Sequence, residues 1–376
     1  MPHESANSFP HLMLKEIYEQ PQALLATVDH HLQGGRLFGE PSHPLAQNLA
    51  GVQKIIIAAS GSSRHAGLAG EIMIEDLARI AVDVEYASEY SYRSSHASTD
   101  PLVIVITQSG ETADTVAAQR EAIARGNRTL AICNVADSTA AREATFALLT
   151  QAGRELAVPA TKSFTTQLAV LFLLALDLSE RHGRANSEFV RQQLKAIKSL
   201  AISLEKHIAT WSDETRACAQ QVFQAQSFLY LGRSVHYAIA REGALKLKEV
   251  SYAHAEGYPT GELKHGPYAL VSRDAPIVVM ATKDDGDADS VLRYDRSLAI
   301  MADIKKRGGT VITVATEGDD EVSRASDHVF YVPHAPELLL PLIEIIPMQL
   351  LAYHVAVLNG CDVDHPRNLQ KAVVRE

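Results

Sequence analysis

Short hydrophobic runs alternate with helical stretches from residue 54 onward. Three of these runs, at residues 55–59, 102–107 and 129–134, are typical of strands, and helical stretches separate them. Strands that are hydrophobic throughout and alternate with helices usually form a parallel sheet that is buried on both faces. We therefore predict βαβ units, whose connections should be right-handed.

The same alternation of strand and helix patterns occurs in the second half of the chain. Strand patterns recur at residues 228–232, 276–282 and 310–315, and the first two strands start at nearly the same separation in each half. An internal repeat of this kind predicts two similar domains. Between them lies a polar helical stretch that contains the single tryptophan, Trp211.

The fold prediction is therefore α/β, with two tandem doubly wound parallel-sheet domains, a helical N-terminal arm and a C-terminal tail. A length of 376 residues fits about two domains. The predicted boundaries are 1–44 for the arm, 45–185 for the first domain, 186–214 for the helical connection, 215–358 for the second domain and 359–376 for the tail.

A turn rich in hydroxyl groups follows the second strand of the first half. It spans residues 107–112, where Thr107, Ser109 and Thr112 carry the hydroxyls and Gly110 lets the backbone come close to a ligand. Such a turn at the head of a helix is suited to binding a phosphate dianion. The commoner meaning of Ser109 or Thr112 at this position is a simple helix cap, and one turn alone does not decide between the two.

The position of this turn in the fold supports the phosphate hypothesis. Ligands of open parallel sheets bind beyond the carboxyl ends of the strands, so the turn at 107–112 and the serine-rich turn at 60–63 should converge. The turn at 283–286 in the second half carries two aspartates, which would repel phosphate. We therefore expect only the first domain to bind a phosphate group.

Candidate acid–base residues lie in the second half. Glu242, Lys246 and Glu249 stand at i, i+4 and i+7 and share one helix face. On spacing alone, a solvated stripe of ion pairs is the favoured interpretation. The loop at 261–267, with His265 at its tip, shifts that judgement, since a carboxylate and an imidazole together suit proton transfer. By itself, His265 is more often an ordinary loop histidine.

The C-terminal tail carries one candidate nucleophile, Lys371. A lysine so near the end of a chain is usually a frayed surface residue. If the tail instead folds over the site, a desolvated Lys371 could form a Schiff base with a sugar carbonyl.

Composition excludes several classes of function. The net charge of −10 argues against binding nucleic acid, and 46% hydrophobic with 21% charged residues is ordinary for a globular enzyme. No secretory signal begins the sequence. The apolar run at 168–176 is too short to span a membrane, and the run at 338–358 fits a buried core helix better than a membrane helix, so we expect a cytoplasmic protein. No metal site or organic cofactor is indicated, and the cysteines show no disulfide or zinc spacing: Cys133, Cys218 and Cys361.

Several motifs resemble one known family. They are the segments 109–115 (SGETADT), 161–167 (TKSFTTQ), 242–249 (EGALKLKE), 261–267 (GELKHGP) and 366–369 (PRNL). Together they resemble the isomerase half of glucosamine-6-phosphate synthase, which is built from two flavodoxin-like sugar isomerase (SIS) domains. The resemblance runs from residue 15 to the end of the sequence.

The resemblance implies a role for each matching residue. Glu249 would move a proton between C1 and C2 with Lys246 beside it, and Lys371 would be the Schiff-base lysine. His265 would open the sugar ring from a neighbouring subunit, which implies a homodimer. The residues implied to hold the sugar phosphate are Ser62, Ser63, Thr107, Gln108, Ser109, Thr112 and Val158.

The sequence also departs from the family. It begins at Met1-Pro2, where the synthase has a glutaminase domain headed by a nucleophilic cysteine. Ser60 to Ser62 replace the usual Cys-Gly-Thr, Ala160 stands at a common serine position, and Gln370 replaces a small residue. An isomerase site without an ammonia source leads us to expect a deaminase that converts glucosamine 6-phosphate to fructose 6-phosphate and ammonia.

Two alternatives remain open from the sequence. The first is another sugar-phosphate isomerase, or a deglycase that acts on fructosamine phosphates, and galactosamine 6-phosphate is also a conceivable substrate. The second is a non-catalytic sugar-phosphate sensor. Residues 1–50 show no helix-turn-helix output module, and the joint presence of Glu249, His265 and Lys371 favours an enzyme.

Overall fold

The N-terminal arm consists of two helices and a small hairpin. The structure, a computed structural model, describes residues 9–39, 48–49, 51–93 and 100–373. Gly34 and Gly35, both with positive φ, form the turn of the hairpin. The predicted boundary at residues 44–45 lies outside the described residues. The arm contains α1 (Leu12–Tyr18), α2 (Gln20–His31), β1 (Leu32–Gln33) and β2 (Arg36–Leu37).

The first domain is built around a five-stranded parallel sheet. Its strand order is β4-β3-β5-β6-β7, and all five residues of β5 are buried, as expected for a strand covered on both faces. Its strands are β3 (Lys54–Ala59), β4 (Ala81–Tyr86), β5 (Leu102–Ile106), β6 (Thr129–Cys133) and β7 (Phe146–Leu149). Its helices are α3 (Gly61–Ala78), α4 (Ala87–Tyr90), α5 (Ala113–Ala124), α6 (Thr139–Glu143) and α7 (Lys162–Arg181).

The second domain repeats this topology. Its sheet has the order β12-β11-β10-β8-β9. Read from β9 to β12, this is the order of the first sheet, with β8 to β12 in the places of β3 to β7. The strands are β8 (Ser227–Gly232), β9 (His254–Pro259), β10 (Ile277–Ala281), β11 (Val311–Thr316) and β12 (His328–Val332). The helices are α8 (Ser187–Val222), α9 (Val235–Ser251), α10 (Ala288–Lys306), α11 (Asp320–Ser323) and α12 (Pro341–Leu358). The predicted fold of two doubly wound parallel-sheet domains is confirmed.

The strands predicted from the sequence are the three central strands of each sheet. The strands that the hydrophobic pattern missed are β4, β7, β9 and β12, and these are the four edge strands. Edge strands are less completely buried, so their sequences mix polar and apolar residues; β9, for example, reads HAEGYP.

Two long apolar helices lie in the core. The segments Lys162–Arg181 and Glu337–Leu358 are long and apolar enough to cross a membrane, but 94% of each apolar window is buried inside the fold. The first packs on α3 and the second on α8 and α9. Burial of this extent is what a core helix of a folded protein shows, and it fits the sequence interpretation of the second segment. The first helix is longer than its apolar run at 168–176 indicated, because it extends from Lys162 to Arg181.

Candidate functional site

The hydroxyl-rich turn at 107–112 lies between β5 and α5, at the carboxyl edge of the first sheet. The Thr107 and Thr112 hydroxyl oxygens are 3.0 Å apart, and the Gly110 amide donates to the Thr107 hydroxyl. Thr112 is the residue before α5, yet its side chain caps no helix amide, and the Ser109 hydroxyl accepts from the Glu111 amide. The simple helix-cap interpretation therefore does not hold for either residue.

Gly110 is required in this turn for two reasons. Its φ is 72°, and a Cβ atom there would lie 2.0 Å from the Ser138 hydroxyl oxygen. The sequence interpretation assigned the missing Cβ to close approach of a ligand. In the structure the missing Cβ also makes room for Ser138, the N-cap residue of the neighbouring helix α6.

We expect Gly110→Ala to damage the turn, with Gly126→Ala as the matched control. Gly126 has a φ of 80° but open space where its Cβ would be. The control should lose about 1–2 kcal/mol of stability from the left-handed backbone alone. Gly110→Ala should lose more and should also raise the KM for a sugar phosphate, because Ser138 must move. Chemical unfolding and steady-state kinetics measure both effects; equal losses with an unchanged KM would contradict this role.

The second turn of the site begins helix α3. Ser62 and Ser63 lie in its first turn, and the Ser62 hydroxyl accepts a hydrogen bond of 3.1 Å from the Lys246 ammonium. Because Lys246 belongs to α9, this bond joins the strand-end turns of the first domain to the second domain. The serine-rich turn and the α9 face that carries Glu242, Lys246 and Glu249 are thus in direct contact, while the binding of phosphate there stays a prediction.

The acid–base residues on α9 form a buried cluster rather than a solvated stripe. Lys246 and Glu242 are fully buried, while the Glu249 side chain keeps 21% of its surface exposed. The Lys246 ammonium lies 2.5 Å from Glu249 and 3.4 Å from Glu242. The second Glu242 oxygen lies 2.8 Å from Nδ1 of His65 on α3. Of these three side chains on α9, Glu249 is therefore the one with part of its surface open to solvent.

The pKa values of the two carboxylates in this cluster are shifted in opposite directions. Burial raises the pKa of Glu249, and repulsion from Glu242 adds to that rise against the attraction of Lys246. Glu242 is also desolvated, but Lys246 and the hydrogen bond from His65 hold its pKa below the usual value. A carboxylate with a raised pKa is suited to general base catalysis near neutral pH.

The C-terminal tail folds over the site and is not frayed at Lys371. The Val373 carbonyl accepts from the Ala113 amide at the start of α5, and the Asp364 carbonyl accepts from the Val158 amide. The Lys371 ammonium lies 2.5 Å from the fully buried carboxylate of Glu155. Despite the desolvation of Glu155, Lys371 and Ser163 hold its pKa below the usual value. In this arrangement Lys371 is held in an ion pair with a buried carboxylate.

His265 lies apart from this cluster. It ends a 3₁₀ helix, Thr260–His265, and its side chain is exposed. Within the described parts of the chain, no hydrogen bond or ion pair joins it to Glu249. A contribution of His265 to the Glu249 site would therefore come from a second copy of the chain, and this stays a prediction.

Three buried residues near the site were not identified from the sequence. Glu155 holds Lys371, His65 holds Glu242, and Glu16 of the arm accepts hydrogen bonds from the Leu156 and Ala157 amides. None of them stands in a motif with a recognisable spacing. They can be identified only in the structure, because they are charged or polar side chains that are buried. In residues 9–39, 48–49, 51–93 and 100–373, no group of three or more metal-binding side chains is found.

Comparison with known proteins identifies a family. The model of the SIS domain family matches residues 48–177 and 221–359. The chain is 44% identical over 373 residues to the glutamine–fructose-6-phosphate aminotransferase (isomerizing) of Chlorobaculum tepidum, and 42% identical over 371 residues to that of Thermus thermophilus. Each match covers 98% of this chain and 59% of the relative, so the chain spans 59% of the length of these curated relatives.

Solved structures give the same result for the fold. The C-terminal domain of glucosamine-fructose-6-phosphate aminotransferase from Francisella tularensis superposes with a TM-score of 0.88 at 34% identity, covering 96% of this chain and 100% of that one. A glucosamine-6-phosphate deaminase from Thermotoga maritima has a TM-score of 0.72 at 23% identity, covering 96% and 99%. The second likeness concerns the fold alone. The resemblance stated from the motifs is confirmed.

Proposed function

The chain belongs to the SIS domain family, and from this premise we propose that it is a sugar-phosphate isomerase acting on an amino sugar. The proposed reaction converts glucosamine 6-phosphate and water to fructose 6-phosphate and ammonia. The observation that carries the proposal is the contact of the Lys246–Glu249 pair with Ser62, because it joins a proton-transfer group to the turns suited to phosphate.

The proposed chemistry needs one base that serves two carbons. Glu249 takes the proton from C2 of the open-chain sugar, which gives an enolamine, and returns it to C1, which leaves an imine at C2. Water then adds to C2 and ammonia leaves, so that the C2 ketone of fructose 6-phosphate remains. The Lys246 ammonium keeps Glu249 ionised in its desolvated position. Ser62, Ser109 and Thr112 hold the phosphate.

The direction of the reaction follows from mass action at this site. In the proposed chemistry, nitrogen leaves C2 or arrives there as free ammonia. The named relatives carry glutamine in their names. When no glutamine is supplied and free ammonia is scarce, hydrolysis of the imine is favoured. The first experiment follows ammonia and fructose 6-phosphate together after addition of glucosamine 6-phosphate. Equal release of both supports the proposal, and release of neither, with fructosamine 6-phosphate or galactosamine 6-phosphate turned over instead, would redirect it.

Lys371 has two candidate roles that substitution can separate. As an ammonium it would stabilise negative charge on the reacting sugar; as a nucleophile it would first have to lose its proton, which the ion pair with Glu155 at 2.5 Å opposes. Lys371→Met should lower kcat by on the order of 100- to 1,000-fold in either case.

Lys371→Arg is the variant that separates the two roles. Arginine keeps the positive charge beside Glu155 but forms no Schiff base. If the Schiff base is required, Lys371→Arg should be as inactive as Lys371→Met. Borohydride reduction during turnover should then attach the sugar phosphate to the wild-type tail, which peptide mass spectrometry detects. Substantial activity in Lys371→Arg would assign the lysine an electrostatic role only.

The proposed role of His265 in a homodimer has its own test. Glu249→Gln and His265→Gln should each be inactive, but a mixed dimer would pair an intact Glu249 from one chain with an intact His265 from the other. Random mixing of equal amounts should restore about a quarter of wild-type activity, because half of the dimers are mixed and each has one complete site. If the mixture stays inactive after subunit exchange, His265 does not act across the interface.

A further inference from the structure

A second polar cavity lies beside the proposed active site, on the other side of helix α3. Its volume is about 410 Å³, and it lies between the start of α3, the end of β4, one face of α9 and strand β9. Ser62 on α3 faces Lys246, whereas Gly61, Arg64 and His65 line this cavity. Glu242, Lys246 and Glu249 on α9 form the catalytic cluster, while other residues of α9 line the cavity. We call it the tyrosine–arginine pocket, after Arg64, Tyr86, Tyr237, Arg241 and Tyr258.

Positive charge dominates the lining of the tyrosine–arginine pocket. Arg64, Arg241 and Lys248 all line it, and none of them forms an ion pair with a described residue. The one carboxylate of the lining, Glu256, is already engaged by the Tyr258 hydroxyl and by His254 at 3.7 Å. The lining therefore carries three cationic side chains and one carboxylate, at the positive end of an 18-residue helix; Glu71, further along that helix, also acts on Arg64.

Two guanidinium groups converge on one tyrosine in this pocket. The Arg64 guanidinium lies 3.7 Å from the centre of the Tyr86 ring, and Arg241 donates to the Tyr86 hydroxyl at 3.3 Å. Arg241 also donates to the Tyr237 hydroxyl at 3.1 Å. Because both hydroxyls accept from Arg241, their own protons point elsewhere and can be donated to a ligand.

Arg64 keeps unused donors in this arrangement. Its Nε and one terminal nitrogen are buried without a hydrogen-bond partner among the residues that the structure describes. Burial is the main cause that lowers the pKa of Arg64; Arg241 adds to it, and Tyr86 opposes it. Buried donors of this kind are normally satisfied, so an anion between Arg64 and Arg241 would complete the site.

We propose that the tyrosine–arginine pocket binds a small phosphomonoester that carries a flat ring, such as a nucleoside monophosphate. Arg64, Arg241 and the two tyrosine hydroxyls would hold the phosphate, and the tyrosine rings would pack against the base. The ligand would lie beside His65, whose imidazole contacts Glu242 of the catalytic cluster. This site is separate from the proposed sugar-phosphate site, and it does not depend on the proposed reaction.

The test counts bound anions in three forms of the full chain. Isothermal titration with inorganic phosphate and with AMP, at low ionic strength, should give two phosphate sites per chain for the wild type. Arg64→Gln/Arg241→Gln should keep only the site of the 107–112 turn, and Ser109→Ala/Thr112→Val should keep only the pocket. AMP should bind the pocket about tenfold more tightly than phosphate, because stacking adds to the phosphate contacts. Arg191→Gln, at an exposed position on α8, controls for the loss of charge.

The outcomes separate this proposal from the proposed function. If the arginine variant keeps both phosphate sites, or if the serine–threonine variant loses all binding, the pocket holds no phosphate and the proposal is overturned. Sedimentation velocity on the same samples tests a second copy of the chain as the occupant. If the arginine variant changes oligomeric state while the wild type binds one phosphate, that outcome also overturns the proposal. Failure of the deaminase assay alone leaves these counts unaffected.

Discussion

Replacing Glu249 by glutamine is expected to lower kcat with glucosamine 6-phosphate by about 100- to 10,000-fold, the range that general base catalysis contributes. Glutamine has the same shape but cannot accept the proton from C2. Because the Glu249 side chain lies at the edge of the cluster, with 21% of its surface exposed, the change should leave the fold intact. Thermal unfolding checks the fold, and release of ammonia checks the reaction.

Isotope exchange tests the proton-transfer role directly. In D₂O, the wild type should place deuterium at C1 of fructose 6-phosphate, because the proton on Glu249 exchanges with solvent before it is returned. Glu249→Gln should lose this exchange as well as turnover. Glu205→Gln, an exposed carboxylate on α8, is the matched control and should keep both. A Glu249→Gln variant that still exchanges deuterium at C1 would show that another group moves the proton.

The parts of the fold that sequence predicted are those for which burial imposes a repeating pattern. The central strands β3, β5, β6, β8, β10 and β11 are hydrophobic on both faces, so their positions follow from composition within one or two residues. The edge strands carry no such constraint, and the pattern did not reveal them. The tandem repeat could be recognised for the same reason, since equal burial in the two sheets produces similar spacing.

The candidate site was only partly predictable. Each of the turns at 60–63 and 107–112 is a contiguous stretch of sequence, and the residues of the 242–249 face have helical spacing. Both features could therefore be found from the sequence. Glu155 and His65 could not, because each acts on a residue far away along the chain: Lys371 is 216 positions from Glu155, and Glu242 is 177 from His65. Pairings at that separation are determined by the tertiary fold, and the local sequence pattern does not predict them.

The two domains differ in the charge at the same topological position. In the first domain the turns after β3 and β5 carry hydroxyls, whereas in the second domain the turns after β8 and β10 surround buried carboxylates. Glu337 and Glu344 each lie 2.8 Å from the His236 ring, and Glu344 also accepts from Thr282. Arg293 also pairs with Glu337, and the expectation that only the first domain holds phosphate stays a prediction. The candidate acid–base residues lie in the second domain, on another face of α9.

Lys246→Met is expected to be the most destabilising single change in the site. It removes the only cation between Glu242 and Glu249 in the described cluster and leaves a buried carboxylate without its counter-charge. Breaking a buried pair in this way typically costs about 3–5 kcal/mol. Lys206→Met, at an exposed position on α8, should change the free energy of unfolding little. Chemical denaturation of both variants measures the difference.

The pH dependence of Lys246→Met identifies the cause of that loss. Burial already raises the pKa of Glu249, so the wild type should lose activity, as pH falls, at a pH above the ordinary carboxyl value of 4.5. Without the Lys246 ammonium, that pKa rises further, and the acid limb of kcat/KM should move to higher pH. The same shift means that the folded variant prefers protonated carboxyls, so its stability deficit should shrink as pH falls and reach its full size above the raised pKa.

Lys246→Met/Glu242→Gln, which removes one charge of each sign, should recover part of the stability. If the double variant is no more stable than the single one and the deficit is independent of pH, lost packing and not unpaired charge explains the effect.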